Sequence, residues 1–278
     1  MNDTNAAARF DEFRALHRSG APLVLPNAWD HASAAALVAA GFRAVGTTSL
    51  GVAAAAGKPD ATGDTRAETL ALARGLSRLD AFVSVDIEGG FAHDPAEVGA
   101  LAAELAALGV VGVNLEDGRP DGSLTELDHQ CAVIRAVKAT APALFLNARA
   151  DTYWLAGPGG TEETEARVLA YQEAGADGVF VPALQEPTVI SALVSTLQVP
   201  LNVLYSPAGP AVPELARLGV RRVSTGSLLF RSALHAAVST ARSVAAGTPP
   251  ATEGLPGYAE AAALADAFTD AGRGGPGA

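Results

Sequence analysis

Apolar positions fall into two kinds of run that alternate along the chain. Ala/Leu-rich stretches of helical spacing end in glycine, and a short β-rich run follows each. The junction recurs as Ala40-Gly41-Phe42-Arg43-Ala44-Val45, Leu108-Gly109-Val110-Val111-Gly112-Val113, Ala174-Gly175-Ala176-Asp177-Gly178-Val179 and Leu218-Gly219-Val220-Arg221-Arg222-Val223. Glycine just past a helix is the usual left-handed stop, and a buried strand follows it in a βα repeat. Strands are predicted near 22–26, 43–48, 81–86, 111–116, 143–149, 178–182, 200–205 and 221–225. Helical patterns occupy 65–79, 95–108, 127–140, 161–174, 188–197, 212–218 and 228–246. Eight βα units in about 225 residues predict an α/β fold, a (β/α)8 TIM-type barrel. The alternative, an open doubly wound sheet, lacks its Gly-rich dinucleotide fingerprint. After Gly247 the pattern changes. Thr248-Pro249-Pro250 breaks the last long helix, a short Ala-rich helix is expected over 258–268, and 272–278 reads as a frayed tail. The expected organisation is a catalytic barrel over 1–247 and a C-terminal arm with a flexible tail over 248–278.

Composition narrows the functions. The 278 residues are 49% apolar and 18% charged, which excludes a wholly disordered chain. A net charge of −11 argues against nucleic acid or an anionic membrane as partner, yet leaves room for a small anion at one local cation. The nearly uncharged stretch 32–57 is too rich in Ala, Gly and Thr for a membrane span. Cys131 is the single cysteine, so neither an intrachain disulfide nor a cysteine zinc site is available, and a reducing cytoplasmic location is expected.

In such a barrel the chemistry lies at the C-terminal ends of the strands. Those ends read Ser84-Val85-Asp86-Ile87-Glu88, Asn114-Leu115-Glu116-Asp117 and Asn147-Ala148-Arg149-Ala150-Asp151. Period-two alternation puts Asp86 with Glu88, Asn114 with Glu116, and Asn147 with Arg149 and Asp151, each set on one face. Three carboxylates from neighbouring strands then crowd at the mouth, and Arg149, alone or with a cation, must offset them. All-oxygen ligands point to Mg2+ or Mn2+. A purely structural ion-pair network is the alternative. Asp117 points opposite to Glu116 and belongs to such a network, and Asp151 is either a ligand or a loop cap. Asp30 faces the mouth or caps the helix beginning near Ser33.

These residues resemble the isocitrate lyase / phosphoenolpyruvate mutase superfamily. The resemblance rests on Gly41-Phe42 leading to Thr47-Thr48-Ser49-Leu50, on Gly57-Lys58-Pro59-Asp60, Asp86-Ile87-Glu88-Gly89-Gly90-Phe91, Leu115-Glu116-Asp117 and Asn147-Ala148-Arg149, in order and at barrel spacing. It implies a Mg2+ site with Asp86 as nearest ligand and Glu88 and Glu116 acting directly or through water. It also implies that backbone N–H groups around Thr48, Ser49 and Leu50 hold a 2-oxo-acid carboxylate, with Arg149 on the oxygen that becomes negative and Asp60 near the metal waters. Asn114 joins the substrate contacts. The implied function is Mg2+-dependent C–C cleavage of a small 2-oxo or 2-hydroxy acid through an enolate. The alternatives are a binding protein for pyruvate, oxaloacetate or 2-oxoglutarate with little turnover, and a phosphonopyruvate-type P–C bond enzyme. A homotetramer or dimer, with final helices exchanged between neighbours, is implied as well; an arm folded on its own barrel is the alternative.

Departures from the family pattern bear on the reaction. Gly118-Arg119-Pro120-Asp121-Gly122-Ser123 replaces the loop that carries an acid cysteine in the isocitrate and methylisocitrate lyases, or Lys and Asn in the P–C enzymes. Gly46, Pro182, Leu204 and Ser227 stand where relatives carry aromatic, polar or His side chains. The protonating acid is open among Asp60, a metal-bound water, Ser123 and Arg119. Cys131 reads as core packing, and the five histidines show no zinc spacing, with His93 alone a catalytic candidate. Of the two lysines, Lys138 lies on a helix and does not suit a Schiff-base aldolase, while Lys58, in the loop after the second strand, is within reach of substrate but expected at the surface.

Overall fold

Pro26 divides the first strand. In the computed structural model, which describes residues 3–18, 20–156 and 160–269, β1 (Leu23–Leu25) and β2 (Asn27–Ala28) flank it. The others are β3 (Ala44–Thr47), β4 (Phe82–Asp86), β5 (Gly112–Glu116), β6 (Phe145–Arg149), β7 (Gly178–Val181), β8 (Leu201–Leu204) and β9 (Arg222–Ser224). All pair in parallel in the order β1-β9-β8-β7-β6-β5-β4-β3-β2. Proline has no N–H to give a ladder, but the Pro26 carbonyl accepts from Gly46 N at 2.8 Å. One predicted strand thus serves both sides of the seam, β1 on β9 and β2 on β3, and the sheet rounds into the predicted barrel. The Asn27 side chain fastens the seam: Oδ1 accepts from Thr225 N and Gly226 N, both at 2.9 Å, and Nδ2 donates to Thr47 O at 2.7 Å. Only glycine fits opposite, because a Cβ on Gly46 would lie 2.7 Å from Asn27 Nδ2.

The helices are α1 (Asp3–Leu16), α2 (His31–Ala39), α3 (Ser49–Ala55), α4 (Arg66–Leu76), α5 (Pro95–Leu108), α6 (Leu127–Thr140), α7 (Thr152–Ala156), α8 (Thr161–Glu173), α9 (Pro187–Thr196), α10 (Val212–Arg217), α11 (Leu228–Ala245) and α12 (Tyr258–Ala263), followed by a 3-10 turn at Leu264–Phe268. The glycine stops work as read: Gly41, Gly109, Gly175 and Gly219 have φ of 92°, 99°, 106° and 91°. Outward-facing Val85, Val113, Leu115 and Val179 pack under the helices in one continuous core. Asp30 is a helix cap, its Oδ1 accepting from Ser33 N at 2.7 Å.

The barrel interior is layered. At the N-terminal end α1, which the sequence pattern did not announce, inserts Phe13 against Phe82, Phe145 and Leu25. Above this plug, interior positions that are usually aliphatic carry Ser84, Asn114, Asn147, Asn202 and Arg222, all buried. Above these comes the charged mouth.

The C-terminal segment is divided in its loyalties. Beyond Phe230 almost every residue of α11 is exposed, including Leu234, Val238 and Val244. The turn after α12 folds back on the same chain, with Phe268 edge-on to His31 at 5.1 Å and Leu264 against the core. The expected tail at 272–278 lies outside the described residues.

Candidate active site

Register brings the mouth together. Asp86 pairs with Asn114, Asn114 with Asn147, and Glu116 with Arg149. Thr48, Ser49, Leu50, Asp60, Asp86, Asn114, Glu116 and Arg149 line one cavity of about 130 Å³, together with Trp154, Phe180, Pro182 and Leu204. Of the residues expected at the site, Glu88 alone does not line it.

Arg149 is the electrostatic centre. Its Nη1 meets Glu116 Oε2 at 2.6 Å and its Nε meets Asp151 Oδ1 at 2.7 Å, while the Trp154 and Phe180 rings lie 5.9 and 5.8 Å from its guanidinium carbon. Burial opposes its charge, but Glu116, Asp151 and Asp86 outweigh burial and hold it firmly cationic. Burial pushes the Glu116 carboxyl well above the usual range, Arg149 pulling down and Asp86, Asp151 and Glu88 pushing up. Asp86 is likewise raised by burial, against Arg149 and the N–H groups of Ser49 (3.3 Å) and Glu88 (3.3 Å). Ionisation of these carboxyls is thus disfavoured unless further positive charge enters the site.

Two expectations need correction. Glu88 does not share a face with Asp86: β4 ends at Asp86, and Glu88 turns into the left-handed region at φ 50°. Its carboxylate accepts from Gly63 N at 2.9 Å and Thr65 Oγ1 at 2.6 Å, which turns it to a neighbouring chamber of about 300 Å³. Thr48 N–H is not free for a substrate, since it donates to Ala28 O at 3.1 Å. Ser49 N–H is turned to Asp86 Oδ2 at 3.3 Å, so the open donors narrow to the rest of the first turn of α3, which has no side-chain cap. Among the described residues no three His, Cys, Asp or Glu side chains gather into a ready cage for a metal ion.

The donor set nonetheless fits Mg2+, which keeps several waters and needs only one or two carboxylates beside its substrate. Asp86 would hold it, with Glu116, Glu88 and Asp60 reaching through water. Asp60 Oδ1 is buried without a protein hydrogen-bond partner, a lone acceptor of the kind such a water satisfies.

Other candidates fall outside. Asp151 is Arg149's second partner and also accepts from Gly118 N at 3.2 Å. Asp117 is fully buried among Arg167, Tyr171 and the Asp151 N–H, a structural network as expected. Ser123 is exposed and donates to Asp121, and Arg119 lines the neighbouring chamber. His93 lies there too, stacked on His129 at 4.3 Å. Lys138 pairs with Asp177 and Lys58 with Glu68. Sequence reasoning missed Asn27 and Arg222, although the alternation Arg222-Val223-Ser224 already turned two polar side chains inward.

Comparison with known proteins adds names to the geometry. Residues 13–245 match the phosphoenolpyruvate phosphomutase family. The protein Rv1998c of Mycobacterium tuberculosis (strain H37Rv) is 44% identical over 235 residues, 84% of this chain and 89% of that one. The 2-methylisocitrate lyase of Halalkalibacterium halodurans is 32% identical over 200 residues, 69% of this chain and 65% of that one. Among solved structures, one from Burkholderia cenocepacia J2315 with a provisional phosphonomutase name superposes at TM-score 0.79 and 35% identity, covering 85% of this chain and 98% of that one. A phosphonopyruvate hydrolase solved with oxalate and Mg2+ shares the fold at TM-score 0.80 and 23% identity, covering 93% and 95%. With strand ends, mouth residues and a match over most of its length in agreement, the chain belongs to the phosphoenolpyruvate phosphomutase family, within the isocitrate lyase / phosphoenolpyruvate mutase superfamily.

Proposed function

We propose that the protein is a Mg2+-dependent lyase that cleaves a C–C bond of a small 2-oxo or 2-hydroxy carboxylic acid. The carrying observation is Arg149, a largely but not fully buried cation clamped between Glu116 and Asp151 beside Asp86 on a cavity of about 130 Å³. Mg2+, when bound at Asp86, supplies positive charge beside the carboxylate and carbonyl oxygens of the acid. The chain does the rest. N–H groups at the start of α3 take a carboxylate oxygen. In a 2-oxo acid, breaking the C3–C4 bond leaves its electron pair in the enolate of the 2-oxo acid; in a 2-hydroxy acid, loss of the hydroxyl proton with breaking of C2–C3 gives the 2-oxo product and leaves the pair on the departing acid as its enolate. Arg149 donates to the oxygen that gains charge. Donors of this kind are worth about 10²–10³ in rate. The leaving fragment departs past Phe180, Pro182 and Leu204, an apolar wall that favours methyl or methylene substituents over a further carboxylate. Asp60 lines the cavity with its Oδ1 buried and bonded to no described residue, and we assign it the proton exchange that accompanies cleavage.

The test is turnover of oxaloacetate, 2-methylisocitrate, 2,3-dimethylmalate and phosphonopyruvate with Mg2+. Pyruvate formation from a C–C substrate, falling at least 100-fold in Arg149→Met and Asp86→Ala, supports the lyase. Mg2+-dependent oxalate binding without turnover selects the binding-protein reading, which the Asp121–Ser123 lock in the acid-loop position favours. Phosphate release from phosphonopyruvate selects the P–C reading.

We assign the protein to the cytoplasm on its single, buried cysteine, and to a homotetramer or dimer on the exposed stripe of α11. Val24 of β1, outward-facing and 36% exposed, marks barrel surface for a second copy's helix to cover. Sedimentation of a monomer at micromolar concentration refutes this assembly.

A further inference from the structure

Asn114 is held unlike any other side chain of the mouth. Its Oδ1 accepts two hydrogen bonds from below, from Asn147 Nδ2 at 2.9 Å and from Arg222 Nη2 at 3.1 Å. Arg222 is 1% exposed, a full-length arginine inside the barrel. Its Nε and Nη1 are buried without a protein partner, so Asn114 Oδ1 takes its hydrogen bond among the described residues. Burial lowers its pKa to about 9, with Asp86 opposing, so it stays cationic at neutral pH. A guanidinium only donates, whereas an amide donates from one end and accepts at the other. Turning the Asn114 amide over would press NH2 against a cation and lose both bonds. The amide is locked in one of its two orientations. In that orientation Nδ2, which bonds to no described residue, is the end left for the cavity that Asn114 lines beside Asp86, Glu116 and Arg149.

We propose that Arg222 is a positioning residue that fixes the Asn114 amide from inside the barrel, so that Nδ2–H donates to an oxygen of the bound acid. This rests on the 2-oxo-acid reading of the cavity and makes it more specific: the ligand must present an acceptor oxygen at Asn114. It also accounts for a solitary buried charge, which a packing role alone would not retain, because apolar side chains of like size fill a core at lower cost.

Two readouts test it. In the ligand-free protein the Asn114 side-chain amide pair is assigned in a 15N–1H spectrum by its loss in Asn114→Asp. In Arg222→Met the pair is expected to shift and broaden as the amide gains freedom, and in Arg222→Lys, which restores charge and a donor, to return toward its wild-type position. Calorimetric titration with oxalate and Mg2+ is the second readout. Arg222→Met and Asn114→Leu are each expected to weaken oxalate about tenfold, the scale of one hydrogen bond to a charged group. The double variant should be no weaker than Asn114→Leu, with Arg222→Lys recovering most of the loss. An unchanged amide pair in a folded Arg222→Met overturns the lock. Fully additive losses overturn its role in binding. If the wild type binds no oxalate with Mg2+, the ligand reading of the cavity fails, and the donor role of Asn114 fails with it, while the spectrum still decides whether Arg222 holds the amide.

Discussion

At its N-terminal end the barrel closes on Phe13, Phe82, Phe145 and Leu25, a layer almost without access to water. At its C-terminal end the same strands carry Asp86, Glu116 and Arg149, with Ala61, Glu88 and Phe91 around them in the left-handed backbone region that non-glycine residues seldom enter. The first end gains from burial; the second holds charge and strained backbone that burial makes costly. A single barrel thus separates the source of its stability from the place of its chemistry, with the Asn/Arg layer as the boundary between them.

The largest blow to that division is Phe13→Ala. Loss of a buried Phe costs about 3–5 kcal/mol, so the melting temperature should fall by roughly 10 °C, while the oxalate affinity of the folded protein stays within about twofold. Loss of binding in step with stability would erase the distinction. Asp86→Asn is the converse: Mg2+-dependent oxalate affinity should drop about 100-fold, near 3 kcal/mol, yet the metal-free protein should melt higher, because one desolvated charge facing Glu88 and Glu116 is gone. A lower metal-free melting temperature would mean that Asp86 is part of the scaffold.

Titration separates the ends by sign. His17, under the plug, stacks on Phe145 at 4.4 Å, and burial with Arg222 nearby lowers its pKa from 6.5 to about 3. Between those values the unfolded chain binds the extra proton, so this contribution is complete above pH 6.5 and fades as pH falls. Glu116, Asp86 and Glu88 are raised when folded. The folded state then binds the extra protons, and their contribution is greatest at low pH and fades as pH rises from about 4 through the folded values. His17→Phe should therefore leave only the falling limb in urea midpoints from about pH 5 to about pH 8, and saturating Mg2+ should flatten it. A mid-range maximum surviving in His17→Phe would show another group at work. The smallest effect is expected at Leu204→Thr. A hydroxyl on the apolar wall should favour acids with a second polar substituent by only a few-fold, about 1 kcal/mol, read from relative kcat/KM values; a preference for apolar substituents that is unchanged would remove Leu204 from the specificity wall.

Much of this was legible in the chain, and the parts that were not share a cause. Period-two reading placed Asp86, Asn114, Glu116 and Arg149 on one cavity because strands keep that period. It failed at Glu88, two residues on, because the strand had ended and a left-handed turn reset the direction. Glycine stops located the strands because the left-handed conformation is nearly glycine's own. The plug helix α1 escaped because its mixed sequence gives no apolar stripe, Phe13 being its one fully buried side chain among those described. The backbone donor at Thr48 escaped because a ladder bond to Ala28 depends on the split strand at Pro26, and Asn27 escaped because the partners of its Oδ1 lie 198 and 199 residues away.

That distance has a consequence for how the molecule is made. The seam joins residues 23–28 to residues 222–226, so the first strand waits for its neighbour until nearly the whole barrel sequence has left the ribosome. Through that interval the β1 edge has no permanent partner. The final closure, Asn27 onto Thr225 and Gly226, is a single long-range event late in biosynthesis. A chain halted before β9 would keep most of its helices and strands but remain an open, adhesive sheet, which makes the last βα unit a checkpoint for release of the finished protein.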